Sequence, residues 1–515
     1  MRRVVVAVVV LAMLVAGAGL VAAGLWGERD SGDGPARTYP PPPPQAGSEE
    51  APSADLERFY GQGLDWQPCG EDECSTLTVP LDYSEPDGRT IDLALLRVPA
   101  RAERRGALVV NPGGPGAPGT DYAAAAGAVL GQPLLEHLDV VGFDPRGTGD
   151  SAPVDCLSDA ELDAYLALDP SPDDVAERRD LVRTLRDFGR GCVADDAELA
   201  AHVSTIEAAR DMDILRSALG RVDLDYLGAS YGTDLGATYA ELFPEHVGRF
   251  VLDGAVDVSA TRRESNLGQA RGFETALRAY VENCVETVDS CFLGDSVEEG
   301  LGKITDYLEE VDAQPLTVGD GRELTVGTSF LGIITPLYVR DYWYILSAAL
   351  QQAFDGNGGA LLALADIYSS RNPNGGFSNN MAEANVAINC LDDPTAIAPR
   401  KVAVELPAFL EASPTFGDTF AWSLIGCSGQ VAESTEKPIE IDGSGAPPIV
   451  VIGTTRDPAT PYEWAEALAD QLESGVLVSR DGDGHTGYHQ GNECVDDAVE
   501  SFLLDGTVPA DGLEC

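Results

Sequence analysis

Short apolar runs separated by longer amphipathic stretches recur along much of the chain. Such runs occupy residues 107–110, 138–143, 224–227, 247–252, 448–452 and 475–479. Each has the length of a buried strand, and several of the stretches between them have helical spacing, as at residues 205–219. Strands that alternate with helices predict a doubly wound, mainly parallel sheet, so the pattern indicates an α/β fold.

Two departures from this pattern divide the folded part of the chain. Residues 76–80 and 90–98 alternate in polarity and predict an antiparallel strand pair near its beginning. Residues 258–440 are mostly helical, with Gly- and Asn-rich loops, and predict a helical cap inserted into the sheet domain. The predicted sheet domain therefore consists of residues 56–257 and 441–515.

The first 55 residues show no pattern of a folded domain. Residues 4–26 carry no charge and follow two arginines, which predicts that residues 1–27 are an export signal peptide, or a membrane anchor if uncleaved. Residues 28–55 are rich in Pro, Gly, Ser and acidic residues and predict a disordered linker. We therefore expect a secreted, extracellular protein, which an uncleaved N-terminal segment would tether to the cell membrane.

Charge and cysteine content narrow the function further. The chain has 85 acidic and 33 basic residues, for a formal net charge of −52, which argues against nucleic acid or an anionic membrane surface as a partner. Its ten cysteines fall into sequence-neighbour pairs, which favours disulfides in an exported protein, with short loops preferred. A zinc site is the weaker alternative, because no C-x-x-C pair exists and only five histidines are present.

Residues 226–233 carry the clearest chemical signal. The segment Gly228-Ala229-Ser230-Tyr231-Gly232 fits the pattern G-x-S-x-G, follows a predicted strand and precedes a predicted helix that ends before Pro244. A sharp turn in this context exposes a serine hydroxyl at a helix N-terminus, where backbone N–H groups favour negative charge. An ordinary Gly/Ser turn is the alternative, but the strand and helix favour Ser230 as a nucleophile.

A serine nucleophile needs a base, usually a histidine that a carboxylate holds in place. On this architecture the order along the chain is Ser, acid, His, and Asp457 and His485 each follow a predicted strand near the C-terminus. Because the carboxyl ends of parallel strands share one sheet edge, we expect both residues to meet Ser230 there. Asp253 is the rival for the acid, and His489 is the rival for the base.

A Gly-rich stretch at residues 111–116 directly follows the predicted strand 107–110. It lacks the motif residues of a nucleotide-binding loop. In a serine hydrolase the backbone N–H groups of Gly114 and Tyr231 are expected to form the oxyanion hole. Asp144 and Arg146 follow the next strand, and we expect them to pair and hold neighbouring loops, because a buried charge needs a partner.

Taken together, several stretches resemble the secreted actinobacterial tripeptidyl aminopeptidases, a branch of the proline iminopeptidase-like family of α/β-hydrolases. They are residues 111–116, 142–149, 228–232, 250–254, 387–392 and the regions around residues 457 and 484–486. Proline iminopeptidases proper carry His where this chain has Pro112, which favours the tripeptidyl branch. The resemblance covers about residues 60–515. It implies an α/β-hydrolase fold, Ser230 as nucleophile, Asp457 as acid partner, His485 as base, and removal of short peptides from a free N-terminus.

The predicted function is therefore that of a secreted serine exopeptidase that releases tripeptides, or other short N-terminal units, through an acyl-enzyme, without a metal ion or organic cofactor. Such an enzyme must recognise the substrate ammonium, and the acids Glu264, Glu274, Asp392 and Asp393 of the cap are candidates, although each could be a surface acid. Thr460 could orient the catalytic acid, line the cleft or be a turn residue. A carboxylesterase or lipase, a small-molecule amide hydrolase and a non-catalytic binding protein are the alternatives; the complete triad argues against the last.

Overall fold

The computed structural model describes residues 51–319, 321–430 and 432–515. The predicted signal peptide or anchor, residues 1–27, and the predicted linker up to residue 50 lie outside these residues. None of the helices in the described part of the chain combines the length and the apolar character that crossing a membrane requires.

A ten-stranded sheet lies at the centre of the structure, and a separate two-strand hairpin lies in the predicted cap. In chain order the strands are β1 (Gln67–Cys69), β2 (Asp72–Pro80), β3 (Thr90–Val98), β4 (Gly106–Asn111), β5 (Leu138–Phe143), β6 (Leu224–Ala229), β7 (Val247–Asp253), the hairpin β8 (Leu316–Thr317) and β9 (Glu323–Leu324), then β10 (Ile449–Arg456), β11 (Gly475–Asp483) and β12 (Leu513–Glu514).

The strand order of the sheet is β1-β2-β3-β5-β4-β6-β7-β10-β11-β12. The pairs β1–β2, β2–β3 and β3–β5 are antiparallel, and every pair from β5 onward is parallel. This confirms the predicted α/β fold with a mainly parallel sheet, and the strand pair predicted at residues 76–80 and 90–98 is β2 with β3.

Both faces of the sheet are covered, which explains why its central strands appear in the sequence as continuous apolar runs. Successive side chains of a strand point to opposite faces. Val109, Phe250 and Val451 therefore lie in one apolar cluster, and Val110 and Val251 lie in another on the opposite face. Strands with two buried faces show no alternation of polar and apolar residues.

Helices cover the sheet and form most of the remaining structure. They are α1 (Glu57–Tyr60), α2 (Gly119–Ala124), α3 (Ala126–Val129), α4 (Gln132–His137), α5 (Asp159–Leu166), α6 (Val175–Ala200), α7 (Thr205–Ala218), α8 (Tyr231–Leu242), α9 (Arg262–Thr287), α10 (Val297–Ala313), α11 (Val326–Ile334), α12 (Trp343–Phe354), α13 (Gly359–Tyr368), α14 (Met381–Asp392), α15 (Val402–Ala412), α16 (Gly417–Trp422), α17 (Tyr462–Gln471) and α18 (Glu493–Asp505). Short 3-10 helices occupy Ala54–Leu56, Pro244–His246, Thr335–Tyr338, Arg340–Tyr342, Pro399–Lys401 and Ser423–Gly429.

The helices α9 to α13, α15 and α16 share an apolar core that is distinct from the two clusters on the sheet. Phe273, Leu346 and Phe409 are buried in it. Leu181 and Leu185 of α6 belong to the same cluster, so α6, which precedes β6 in the chain, also packs against these helices. The helix α14 instead contributes Ala384 and Ile388 to one of the sheet clusters. The limits predicted for the cap, residues 258 and 440, stay a prediction.

All ten cysteines form disulfides, since the described residues contain no free cysteine. The bonds are Cys69–Cys74, Cys156–Cys192, Cys284–Cys291, Cys390–Cys427 and Cys494–Cys515. This is the neighbour pairing that short loops favoured. Because disulfides persist in oxidising compartments, the five bonds indicate an extracellular protein.

The loop after β5 is held by buried charges, but not through the expected pair of Asp144 with Arg146. Arg146 is fully buried and donates to both carboxylate oxygens of Asp211 at 2.8 Å. Asp144 accepts hydrogen bonds from the backbone N–H and the hydroxyl of Thr120 at 2.9 and 2.8 Å. Each charge therefore has its own partner, and together they connect this loop to α7 and α2.

Candidate active site

Ser230 occupies the turn between β6 and α8, at the carboxyl edge of the sheet. Its φ and ψ of 56° and −127° are a strained combination for a residue other than glycine. A Cβ at Gly228 would lie 2.3 Å from the carbonyl oxygen of Gly232, so a side chain there would collide with the first turn of α8. The sharp turn that the G-x-S-x-G pattern predicts is therefore present.

His485 and Asp457 form a buried, hydrogen-bonded pair at the same edge. The Nδ1 atom of His485 lies 2.9 Å from both carboxylate oxygens of Asp457. The carboxylate also accepts hydrogen bonds from the backbone N–H groups of Ala459, Thr460 and Thr486, at 2.9, 2.9 and 3.0 Å. A carboxylate held in this way fixes the orientation of the imidazole and leaves Nε2 as the nitrogen that can accept a proton.

The surroundings of His485 favour its protonation. Burial works against the imidazolium form, but the charge and hydrogen bond of Asp457 outweigh burial, so the pKa of His485 is raised from its ordinary value. The ring of Tyr338 stands edge-on to the imidazole, with centroids 5.4 Å apart, and the hydroxyl of Thr460 lies 3.3 Å from Nδ1. Nε2 is buried and has no hydrogen-bond partner among the described residues.

Asp253, the rival for the acid, has a different position. Its carboxylate accepts hydrogen bonds from the backbone N–H groups of Gly487 and Tyr488 at 2.7 and 2.9 Å. Burial raises the pKa of Asp253 to about 6. The structure thus places Asp457 against His485, whereas Asp253 holds the loop that carries the histidine.

The other histidines lie in different surroundings. The backbone N–H of His489 donates to the carboxylate of Asp496 at 2.7 Å, and its ring packs beside that of Tyr488. The Nδ1 atoms of the remaining three lie within hydrogen-bond distance of other groups, namely His137 with the Glu103 carbonyl, His202 with Glu207 and His246 with Asp213.

The Gly-rich loop after β4 passes directly over the serine turn. A Cβ at Gly113, whose φ is 90°, would lie 2.5 Å from the Ala229 carbonyl oxygen and 2.8 Å from the Tyr231 nitrogen. Gly114 borders the same cavity as Ser230. Within the described part of the chain, neither the Gly114 nor the Tyr231 N–H donates a hydrogen bond to another residue. Both N–H groups are therefore without an acceptor in that part of the chain, and their role in an oxyanion hole stays a prediction.

Two asparagines that the sequence did not reveal hold this loop in place. The N–H of Gly113 donates to Asn111 Oδ1 at 2.9 Å. From α14, Asn385 Nδ2 donates to the carbonyl oxygens of Gly114 and Pro115 at 2.9 and 3.2 Å. A polar residue at the end of a buried strand could have identified Asn111, but Asn385 comes from a distant helix and has no sequence signal.

A cavity of about 390 Å³ opens at the serine and histidine. Its walls come from the Gly-rich loop, from residues 165–185 and from the helices α11, α13, α14 and α16 with the short segments that adjoin them. The residues that border it are Pro112, Gly114, Ala117, Tyr165, Leu166, Leu168, Pro170, Leu181, Leu185, Ser230, Gly327, Phe330, Leu331, Tyr338, Tyr368, Ser369, Met381, Ala382, Asn385, Val386, Thr419, Trp422, Ser423, Gly426 and His485. The surface around the proposed reacting groups is therefore largely apolar.

None of the four candidate acids for ammonium binding borders this cavity. Glu264 is exposed and accepts hydrogen bonds from the hydroxyl and N–H of Thr261, which caps α9. Glu274 is buried and accepts hydrogen bonds from the hydroxyl of Ser413 at 2.8 Å and from the Thr415 N–H at 3.1 Å. Both carboxylates therefore have structural partners.

The other two candidates lie where α14 meets the sheet domain. Asp392 accepts hydrogen bonds from the hydroxyl and N–H of Thr205 at 2.6 and 3.0 Å, and burial raises its pKa to about 7. The same threonine hydroxyl lies 2.5 Å from the hydroxyl of Tyr231. Asp393 pairs with Arg262 at 3.4 Å. Asp392 thus connects α14 to α7.

One group of carboxylates could hold a metal ion. Oxygens of Asp169, Glu177 and Asp312 lie within 4.8 Å of one another, and all three residues are half-buried. Acidic groups of this kind are common without an ion. None of the three borders the cavity beside the serine.

These features together define a class of protein. They are a strained serine at a strand-to-helix turn, a buried histidine–carboxylate pair at the same sheet edge, and a mainly parallel sheet. The fold is that of the α/β-hydrolases, and the protein is a serine hydrolase.

Comparison with known proteins gives the family. A family model described as TAP-like protein matches residues 413–515. The serine protease Hip1 of Mycobacterium tuberculosis is 38% identical over 486 residues, which cover 89% of this chain and 92% of the relative. Tripeptidyl aminopeptidase of Streptomyces coelicolor is 31% identical over 472 residues, covering 88% and 86%. The chain belongs to the tripeptidyl aminopeptidase-like family of α/β-hydrolases.

The relatives do not all carry a peptidase name. Carboxylesterase B of Mycobacterium tuberculosis is 37% identical over 494 residues, which cover 92% of this chain and 94% of the relative. Among solved structures, a probable hydrolytic enzyme from Pseudomonas aeruginosa covers 87% of this chain and 97% of its own, at 14% identity and a TM-score of 0.35. The fold assignment rests on the strand order and not on that last likeness.

Proposed function

We propose that this protein is an exported serine peptidase that releases short units, tripeptides among them, from the amino end of peptides. One observation carries the proposal: Ser230 and His485 border the same cavity. The Nε2 atom of this histidine is buried and has no hydrogen-bond partner among the described residues. Relatives named serine protease and tripeptidyl aminopeptidase support a peptide as the substrate. The five disulfides support export.

In the proposed mechanism Ser230 Oγ attacks the scissile carbonyl carbon while its proton passes to His485 Nε2. Asp457 stabilises the resulting imidazolium through Nδ1. The N–H groups of Gly114 and Tyr231 bind the oxyanion, and each such donor contributes about 3 kcal/mol to transition-state stabilisation. His485 then gives its proton to the leaving amine, which leaves an ester on Ser230. A water molecule then attacks the ester carbonyl while His485 Nε2 takes its proton. The proton returns to Ser230 Oγ as the acid product leaves.

The cavity supports release of short units over cleavage within long chains. The Gly-rich loop, residues 165–185 and the helices α11, α13, α14 and α16 surround it. Its volume of about 390 Å³ is at the small end for ligand pockets. A peptide whose amino end lies in this cavity can place only a few residues between that end and the serine. We propose that this limit sets the length of the released unit.

A carboxylesterase is the second candidate function. It would use the same serine, histidine and carboxylate, because ester and amide hydrolysis are both acyl transfer. The apolar walls of the cavity and the relative named Carboxylesterase B support it. The two functions differ in whether an amide bond is cleaved at a useful rate.

Product analysis of an unstructured decapeptide tests the proposal. We expect early time points to contain tripeptides from the amino end and the matching shortened peptides, identified by mass spectrometry. Fragments from internal cleavage would contradict the amino-end specificity. An intact decapeptide, together with rapid hydrolysis of p-nitrophenyl acetate, would contradict the peptidase and favour the carboxylesterase. The Ser230→Ala variant, tested in parallel, excludes a contaminating peptidase.

A further inference from the structure

The cavity beside Ser230 offers a substrate no carboxylate. Among the described residues that border it there is no Asp, Glu, Lys or Arg. Two of its serine hydroxyls already have partners in the protein: those of Ser369 and Ser423 donate to the carbonyls of Ala365 and Phe420, at 3.0 and 2.7 Å. The amide of Asn385 is engaged with the Gly-rich loop. The wall is therefore built for apolar contact.

A charged amino terminus would be costly in such a site. A buried ammonium without a paired carboxylate loses its hydration and gains no ion pair, and the usual outcome is that the group becomes neutral. The four cap acids that could have supplied the pair have other partners, as described above. A substrate amine that lies inside this cavity is thus strongly disfavoured while it is protonated.

We infer that the amino end of the substrate enters the cavity uncharged, either acylated or deprotonated, and that the acyl half is recognised through apolar contacts. The inference rests on the proposed function, because it takes this cavity as the acyl-side site. It separates this protein from an aminopeptidase that recognises the ammonium by a carboxylate. The substrate class is then short apolar peptides and neutral acyl compounds, with acylated amino ends accepted.

A matched substrate pair isolates the effect of the amine. Ala-Ala-Pro-p-nitroanilide and propionyl-Ala-Pro-p-nitroanilide differ only in that hydrogen replaces the amino group of the first residue. A peptide amine has a pKa of about 7.7, so about a tenth of it is neutral at pH 6.7 and about nine tenths at pH 8.7. We expect kcat/KM for the propionyl compound to exceed that for the free amine by about tenfold at pH 6.7 and to be about equal at pH 8.7.

Dividing kcat/KM for the propionyl compound by kcat/KM for the free amine cancels the effect of enzyme titration on the rate. The ionisable side chains that border the cavity are His485 and the tyrosines 165, 338 and 368. Burial raises the pKa of each tyrosine, so these hydroxyls stay neutral over this range. The titration of His485 affects both substrates alike. The change of the ratio with pH therefore reports the substrate amine.

A pair of variants at Thr419, a half-buried residue of the cavity wall, adds a positive control. Thr419→Asp introduces a carboxylate, and Thr419→Asn introduces a neutral amide of the same size. At pH 6.7 we expect the ratio of kcat/KM for the propionyl compound to that for the free amine to be about tenfold lower in the aspartate variant than in the asparagine variant. The introduced carboxylate can accept a charge-assisted hydrogen bond from the substrate ammonium, whereas the amide cannot. Using the ratio within each variant cancels any general loss of activity.

The outcomes separate this inference from the proposed function. A free amine that is cleaved faster than the propionyl compound at pH 6.7, or a ratio that does not change with pH, would overturn the inference and leave the peptidase standing. If neither anilide is cleaved, the peptidase proposal fails. The two compounds are then compared as competitive inhibitors of p-nitrophenyl acetate hydrolysis. At pH 6.7 we expect the inhibition constant of the propionyl compound to be about tenfold lower than that of the free amine, and equal constants would overturn the inference.

Discussion

Replacing Ser230 by alanine is expected to lower kcat/KM for a cleaved p-nitroanilide by about 10⁴-fold or more, because the covalent route through the acyl-enzyme is lost. The change removes one oxygen from a residue at a strained turn, where alanine fits as well as serine. We therefore expect the far-ultraviolet circular dichroism and the melting temperature to stay close to those of the wild type. Steady-state kinetics on the purified variant measure the effect.

Ser501→Ala is a matched control for this substitution. Ser501 is exposed on α18 and does not border the cavity. Its replacement by alanine should leave kcat/KM within about twofold of the wild type, as is usual for surface substitutions. Substantial turnover by a homogeneous Ser230→Ala preparation would show that Ser230 is not the nucleophile.

The Asp457→Asn substitution is expected to lower kcat by about 10⁴-fold, with a much smaller effect on KM. An asparagine side chain can present its NH₂ group to His485 Nδ1, which favours the tautomer with the proton on Nε2. The imidazole then cannot take the serine proton, and the imidazolium loses its counter-charge. The rate should be measured from pH 6 to 10, because a part of the loss is expected to be recovered at high pH, where hydroxide can act as the base.

Asp253→Asn is the matched control for the acid. Like Asp457, the Asp253 side chain is buried and lies at the end of a strand, but its carboxylate accepts hydrogen bonds from the backbone N–H groups of Gly487 and Tyr488. We expect the substitution to lower stability and to reduce kcat by less than about 100-fold, because Asp253 holds the loop and makes no hydrogen bond to the imidazole, on which its charge acts only at longer range. A larger loss in Asp253→Asn than in Asp457→Asn would show that the acid has been assigned to the wrong residue.

The sheet could be predicted from the sequence because its central strands are buried on both faces. β4 to β7 and β10 are continuous apolar runs, and short apolar runs of that kind are recognisable without an alignment. The edge strands β1 and β12 were not predicted, because two or three residues carry no periodic signal. The order in which the strands lie in the sheet depends on long-range pairing, of which the sequence holds no local trace.

The positions of Ser230, Asp457 and His485 at one edge of the sheet could also be predicted, because each depends on a local feature, whereas their catalytic roles stay a prediction. Ser230 lies in a turn with glycines at both flanks, and Asp457 and His485 follow strands of the same sheet. The contacts that cross between distant segments could not be predicted. Asn385 reaches the Gly-rich loop from α14, and the partner of Arg146 is Asp211, 65 residues away, and not the nearby Asp144.

The lining of the cavity is the clearest case of information that only the fold provides. The sequence offered four acids as candidates for the substrate ammonium, but in a chain with 85 acidic residues nothing local distinguished them from surface acids. In the structure the candidates are turned to other partners, such as Thr205 for Asp392. Leu181 and Leu185, which precede the predicted cap in the chain, border the cavity instead. Substrate recognition therefore depends on which side chains the packing of helices leaves facing the serine.

The central claim is that Ser230 is the nucleophile, and a covalent probe tests it most directly. The full-length protein is treated with a fluorophosphonate, digested with its disulfides reduced, and mapped by mass spectrometry. The account predicts one adduct per molecule, on Ser230, with loss of activity in proportion to labelling and no adduct in Ser230→Ala. Stoichiometric labelling of another residue with the same loss of activity, or full inhibition without an adduct on Ser230, would contradict it.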